Sequence, residues 1–514
     1  MRLAIACLCI LGAATSSSAD YRSVCEWTDL VDRLGEENLP RGDGVIIAIV
    51  EAAVDGNYAL DECTPLACNP EFDGQVITYR SGPSGVSSHA RSVGIRLCGH
   101  DSGMAPEVSQ VQCYEVNGFL ANDCLKTGNS SAQPTVPGNI KVWNHSWVGD
   151  TGTNSINTEI MRRIDWMIES HATRPVVCVG LNNGSQQTAL LANCFNVIAV
   201  GRRDGEHSHG EVPSGHEGPG RQRPDLCGPE VTTSFSTSPV SAAAAMLVGE
   251  VRSDVNLHDD GEQPDVIKSI LMASAQHTGP LGSEDVWSNG APQDGNRRGL
   301  TAAPLDPKMG AGILDVNRAH MILTAGRQTP GSADVAGWAR ETLIASSSVQ
   351  WHFNALGPTG EFVASAAWNR SVSSNFNGWS LANIDIELLR SVEGELHSLV
   401  GEAGIERFAG GNVRSESQVD PVEHLYITGL AAGHYVLRLE RSDDDEGDVD
   451  VALAWFTTGS LVHADLDGSG EVGVEDLLIL LSSWASCTEC AADLTGEGIV
   501  DRADLLLLIE LWGS

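Results

Sequence analysis

Basic side chains are scarce in this 514-residue chain: 31 Lys and Arg stand against 68 Asp and Glu, a formal charge of −37. Such a field repels phosphate wherever salt does not screen it, which makes nucleic acid an ill-suited partner and suits the surface to solubility and cations. Long apolar runs are also missing. Beyond the first residues none reaches the roughly 18 needed to cross a bilayer, so no transmembrane segment is expected. The 55 glycines keep no triplet period, which excludes a collagen-like rod. The chain is 42% hydrophobic, too rich for a disordered polymer, and at about 150 residues per domain its length allows roughly three domains.

What is present begins with an address. Arg2, an apolar run over 3–14 and small residues over 15–19 have the three regions of a secretory signal peptide, with cleavage expected after Ala19. The expectation is a secreted, extracellular or cell-surface protein. Cys7 and Cys9 leave with the leader, and eleven of the 13 cysteines remain. Export permits their oxidation, and an odd number leaves one thiol unpaired or intermolecular. Pairing is not readable from sequence beyond a local Cys487/Cys490 bond.

Continuous apolar runs at 44–50 and 175–179 read as parallel strands covered on both faces, and residues 158–170 place Ile160, Ile164, Met167 and Ile168 at helical spacing. This predicts an α/β domain over 20–326, ended by the breakers Pro330 and Gly331. Over 338–456 short alternating segments such as 385–389 and 435–439 predict a β-sandwich. Residues 465–484 and 493–512 form an internal repeat with 10 of 20 positions identical, each an acidic loop followed by a Leu-rich helix ending in Trp.

Chemistry concentrates in the α/β domain. Glu51 closes the first buried strand in IAIVEAAVD (47–55), at the strand end where open α/β sheets place their sites. HARSVG follows at 89–94, GLNNG at 180–184 and TTSFSTSP at 232–239, before an Ala-rich helix. A carboxylate, a His, an Asn and a Ser form one set for nucleophilic catalysis, because a hydroxyl is weak until a base removes its proton and a third group orients that base.

In the order Glu51, His89, Ser234, these motifs resemble the subtilisin-like serine protease family over about residues 42–320. GMAPE (103–107), RPDL (223–226), VSAAA (240–244) and GAGILD (310–315) are similar to further family segments. The resemblance implies a parallel sheet with helices on both faces, a catalytic triad of Glu51, His89 and Ser234, and Asn182 as oxyanion donor. It implies a substrate-binding edge at Ser146, Trp147 and Gly149 that pairs with an extended peptide. Catalysis would need no cofactor. Glu51 stands where the family has Asp, Thr232 where it has a turn Gly, Arg91 where Thr is common, and Ser238 with Pro239 where Pro comes one place earlier. Asp55 is a rival carboxylate. Residues 20–41 leave no room for a folding propeptide. The implied function is a secreted serine endopeptidase; the alternative is a weak or inactive relative serving as a binding or adhesion subunit.

In the tail, Asp465, Asp467, Ser469, Glu471 and Asp476 fall at loop positions one, three, five, seven and twelve. Gly470 stands at position six for the sharp turn. Asp493, Thr495, Glu497, the Ile499 carbonyl, Asp501 and Asp504 form a second set. Ca²⁺ takes six to eight oxygens, which this spacing supplies. The paired loops resemble a dockerin with EF-hand-type calcium sites at 461–514, which implies structural Ca²⁺ and a cohesin-like partner. The segment 338–456 resembles a pre-peptidase C-terminal domain.

Overall fold

The computed structural model describes residues 20–61, 69–288, 303–356, 361–392, 394–400, 413–445, 447–458, 464, 466–467, 472–486, 491–495 and 499–512. Residues 1–19, expected to be a signal peptide, and Cys63, Cys68, Cys487 and Cys490 lie outside them. Among the described residues no helix is long and apolar enough to cross a membrane.

Seven strands, β1 (Ile46–Glu51), β2 (Ile77–Tyr79), β3 (Gln110–Glu115), β4 (Val142–His145), β5 (Val176–Gly180), β6 (Ile198–Arg202) and β7 (Leu226–Gly228), form one sheet. Its order is β2-β3-β1-β4-β5-β6-β7 and every neighbouring pair is parallel. The chain starts in the middle, runs outward on one side and returns to the other, so the strand order reverses at β1. In α/β sheets ligands bind outside the carboxyl ends of the strands where the order reverses, which here is the end of β1 that carries Glu51.

Alternate side chains explain the unbroken apolar runs. Ile47 and Ile49 enter one core with the helices α1 (Ser88–Cys98), α3 (Thr233–Ser253), α4 (Pro264–Ala273) and α5 (Val316–Thr324). Ala48 and Val50 enter the other with α2 (Asn154–Ser170), through its Ile160, Ile164, Met167 and Ile168. Helix α2 starts four residues before the predicted one, and its first turn adds Ile156, which is in step with Ile160 and packs against the same core. Small side chains let α3 lie close to the sheet's entry loop: a Cβ at Gly249 would come within 3.0 Å of the Gly42 Cα.

Seven further strands are β8 (Ala336–Leu343), β9 (Ser348–Leu356), β10 (Glu361–Trp368), β11 (Ile384–Val392), β12 (Val422–Thr428), β13 (Gly433–Arg441) and β14 (Val449–Thr457). One sheet runs β8-β14-β10-β12 and is antiparallel. The facing sheet centres on β9-β13-β11. Trp351 and Trp455 meet between them at 5.9 Å, and Phe353 and Phe362 meet edge to face at 5.4 Å.

Strand β14 departs from the alternation expected of this segment. Val451, Leu453 and Trp455 face the partner sheet, whereas Ala452, Ala454 and Phe456 join the core of the α/β region. The sheet is covered on both faces, so the strand reads as a continuous apolar run. Ion pairs bind the two regions as well: Arg340 Nε lies 2.7 Å from Asp265, and the fully buried Arg370 Nε lies 2.6 Å from Asp165.

The cysteines differ from the expected oxidised set. Cys25, Cys98, Cys113, Cys124, Cys178, Cys194 and Cys227, all those described, are free buried thiols. Burial pushes Cys113, Cys124 and Cys178 up to about 12, so they serve as small apolar side chains rather than as nucleophiles. In the tail, helices α6 (Val474–Ser482) and α7 (Arg502–Glu510) share a small core of Leu480, Leu507, Leu508 and Leu511.

Candidate active site

Glu51 is the last residue of β1 and is 1% exposed. His89 is the second residue of α1, a helix capped by the Ser87 hydroxyl, which accepts from the Ala90 N–H. His89 Nδ1 stands 2.6 Å from Glu51 Oε2. The extra methylene of Glu relative to Asp is thus absorbed without loss of contact. The other oxygen, Glu51 Oε1, is buried without a hydrogen-bond partner among the described residues, which leaves the imidazole N–H as a principal stabiliser of the carboxylate. The rival Asp55 is exposed in a left-handed turn, with φ of 51°. Arg91 forms a two-pronged pair with Asp61 at 2.7 and 2.6 Å.

Ser234 is the second residue of α3. Thr232 is the N-cap, at φ −136° and ψ 145°, ordinary extended backbone for a β-branched residue. No glycine is therefore needed there, and the Thr232 hydroxyl accepts from the Phe235 N–H at 3.4 Å. The Thr233 N–H donates to Asn183 Oδ1 at 2.8 Å. Between these two, the Ser234 N–H has no acceptor among the described residues, at the positive end of a 21-residue helix. Such an end attracts developing negative charge.

Polar residues inside the apolar β4 region brace this turn. Ser234 Oγ donates to the Ser146 carbonyl at 3.3 Å, while the Ser234 carbonyl accepts from Ser146 Oγ at 3.0 Å and from Ser238 Oγ at 3.1 Å. Asn144 Nδ2 donates to Ser146 Oγ at 2.9 Å, and Ser241 Oγ donates to Asn144 Oδ1 at 3.0 Å. Sequence reasoning passed over Asn144, Asn183 and Ser241. The polar trio Asn144, His145 and Ser146 flanked by Trp143 and Trp147 was the signal that could have found the first.

The remaining predicted residues lie close by in altered roles. Asn182 follows β5, and its side-chain amide donates to the Gln186 carbonyl at 2.9 Å. Trp147, expected to wall a subsite, is 4% exposed, and its indole N–H donates to His145 Nδ1 at 3.1 Å inside the core. The Gly149 backbone, expected to pair with a peptide, is already paired with Leu190 of the same chain. His145 is fully buried, and burial pushes its imidazole down to about 3.

In the tail, Asp465, Ser469, Glu471 and Glu497 lie outside the described residues. Asp476 accepts from the backbone N–H groups of Leu466, Asp467 and Gly473 at 2.6–3.0 Å; burial opposes its ionisation, but these bonds hold its carboxyl below the usual range. Asp504 accepts from the N–H groups of Thr495 and Asp501 and from the Thr495 hydroxyl, and Asp501 caps α7. Asp493 Oδ1 lies 3.4 Å from the Thr495 hydroxyl, and Ile499 pairs with Ser486 between the repeats. Among the described residues no group of three or more His, Cys, Asp or Glu side chains is arranged to hold a metal ion. The donors present are oxygens, the chemistry a hard cation requires.

No family model matches this chain, and no curated protein matches it. Among solved structures it is similar to a serine protease of Aeromonas sobria, at 16% identity and a TM-score of 0.33, covering 81% of this chain and 88% of that one. It is also similar to that protease in complex with its chaperone, at 18% identity and a TM-score of 0.34, covering 82% and 85%.

Proposed function

We propose that this protein is an exported serine endopeptidase of the subtilisin-like class. The observation that carries the reading is the 2.6 Å contact between His89 and the buried Glu51, beside a serine at a helix start whose own N–H is open. Ser234 Oγ turns from the Ser146 carbonyl and attacks the scissile carbonyl carbon as His89 Nε2 takes its proton. Glu51 keeps the other imidazole proton on Nδ1 and stabilises the imidazolium. The oxyanion rests on the Ser234 N–H and on Asn182 Nδ2, which gives up the Gln186 carbonyl to reach it. His89 then passes the proton to the leaving amine as the C–N bond breaks, and water repeats the sequence to free the acid. The peptide lies along residues 146–148, short of the Gly149–Leu190 bridge.

A fluorophosphonate probe tests this. Wild type should label at Ser234 and Ser234→Ala should not. Glu51→Gln should label about 10³ to 10⁴ times more slowly, the scale of losing the correct imidazole tautomer. A second reading, a peptide-binding or adhesion subunit without turnover, draws on the Asn182 amide being engaged by Gln186. Folded wild type that does not label would establish it.

For the tail we propose a structural Ca²⁺ in each loop, held by Asp465, Asp467, Ser469, Glu471 and Asp476 in the first. In the second the ligands are Asp493, Thr495, Glu497, Ile499, Asp501 and Asp504. Leu478, Leu481 and Trp484 on one repeat and Leu506, Ile509 and Trp512 at the equivalent places on the other are 43–60% exposed. These matching apolar rows suit a cohesin-like protein partner. Terbium luminescence excited through Trp484 and Trp512 should saturate at two ions per chain. Absence of sensitised emission would remove the calcium assignment.

A further inference from the structure

The two halves of the proposed site ride on different helices, His89 on α1 and Ser234 on α3. Something must hold the imidazole against the first turn of α3. One side chain reaches both. Arg96 follows His89 by seven residues, two helical turns, so the two share a face of α1. Arg96 Nε donates to Glu230 Oε1 at 2.7 Å, and its guanidinium carbon lies 4.1 Å over the Phe235 ring. That ring also neighbours His89: the two rings are 6.0 Å apart and inclined by only 25°.

Both contacts of Arg96 belong to the turn that carries the nucleophile. Phe235 is the residue after Ser234. Glu230 is locked to the same turn, because Ser236 Oγ accepts from the Glu230 N–H at 3.2 Å and donates to the Glu230 carbonyl at 2.9 Å. The Glu230 side chain is only 10% exposed, so its pairing with Arg96 is shielded from water. At its own end Arg96 Nη1 donates to the Ser92 carbonyl at 3.1 Å, which fixes the guanidinium against α1.

We infer that Arg96 and Phe235, with Glu230, form a clasp that sets the distance and tilt of His89 relative to Ser234. The inference deepens the protease reading and rests on it. Arg96 and Phe235 are positioning residues: the guanidinium holds the phenyl ring, and the ring limits rotation of the neighbouring imidazole. The Glu51 contact acts at the Nδ1 end of His89, and proton transfer at Nε2 requires the whole ring to be oriented.

The test uses the full chain. Arg96→Met keeps much of the side-chain volume without the charge, and Phe235→Leu removes the ring. Each should slow fluorophosphonate labelling of Ser234 by between about tenfold and a hundredfold, the scale of a small misplacement, with the half-saturating probe concentration unchanged. Arg96→Lys, which retains the pairing with Glu230, should recover part of the rate. The double variant should be no slower than the slower single one, since both break one device. In parallel, histidines labelled with ¹³C are titrated by NMR, and the His89 resonance should shift and broaden in both variants. Variants that melt earlier yet label at the wild-type rate with His89 unmoved would overturn the clasp. Should wild type fail to label, the protease reading falls, and the His89 resonance still decides: unchanged in Arg96→Met, it overturns the clasp; displaced, it supports it. If Arg96→Met does not fold, Glu230→Gln is read by the same two measurements.

Discussion

Glu51 shows how one methylene is accommodated. Its carboxylate sits at the end of a strand whose direction is fixed by pairing on both sides, and the contact with His89 forms at 2.6 Å all the same. His145, only a strand away, has no such partner for a charge. It is buried among Phe119, Trp143 and Trp147, and burial depresses it from 6.5 to about 3. Below pH 6.5 the unfolded chain takes up a proton that the folded chain refuses. Stability is therefore lost as pH falls from 6.5 toward 3, by about 1.4 kcal/mol per unit for this group. A His145→Asn variant lacks the titration, so the stability advantage of wild type at pH 7.5 should shrink at pH 5. Urea midpoints at the two values measure it, and an equal gap at both would refute the assignment.

At the scale of the element, the start of α3 decides more than its length does. Thr232 is the cap, Asn183 serves the next N–H, and the Ser234 N–H stays open. The strand before the turn must also be slim: a Cβ at Gly228 would come within 2.2 Å of the Ser236 carbonyl, so glycine is required for that close approach. Thr232→Ala should cost about 1 kcal/mol by leaving the Phe235 N–H uncapped, whereas Thr232→Gly should cost only a few tenths. Chemical denaturation of the two variants compares them. A glycine variant weaker than the alanine one would show that the hydroxyl cap is not what the residue contributes.

At the scale of the whole molecule, the α/β region and the two facing sheets are joined through β14 and its sheet. Trp338, Val363, Ala452, Ala454 and Phe456 pack in the same core as α4 and α5, and Arg340 crosses to Asp265. Removing 328–514 would uncover that apolar face, so the α/β region and the two facing sheets should melt together. Scanning calorimetry of the full chain is expected to give one main transition for both, apart from the tail. Two well-separated transitions would mean that each core is independent.

Strands β1 and β5 and helix α2 were legible because covered strands are apolar on both faces and a buried helix face repeats at 3.6 residues; β3 and β4, with Gln110, Gln112, Asn144 and His145, show no such run. Residue type and a family resemblance singled out Glu51 and His89, which the structure brings to 2.6 Å, and the tail's repeat was legible from its identical positions. Other features depend on which segments meet in space. The fate of seven thiols followed from burial, and Trp147 and Gly149 were claimed by their own chain. Arg96, Glu230 and Phe235 came together only because α1 and α3 pack side by side, joining positions more than 130 residues apart. Sequence alone determined the local periods and the chemical inventory, since these depend on neighbours along the chain. Only tertiary packing decided which groups meet and which are shielded from water, because burial and contact are set by distant segments.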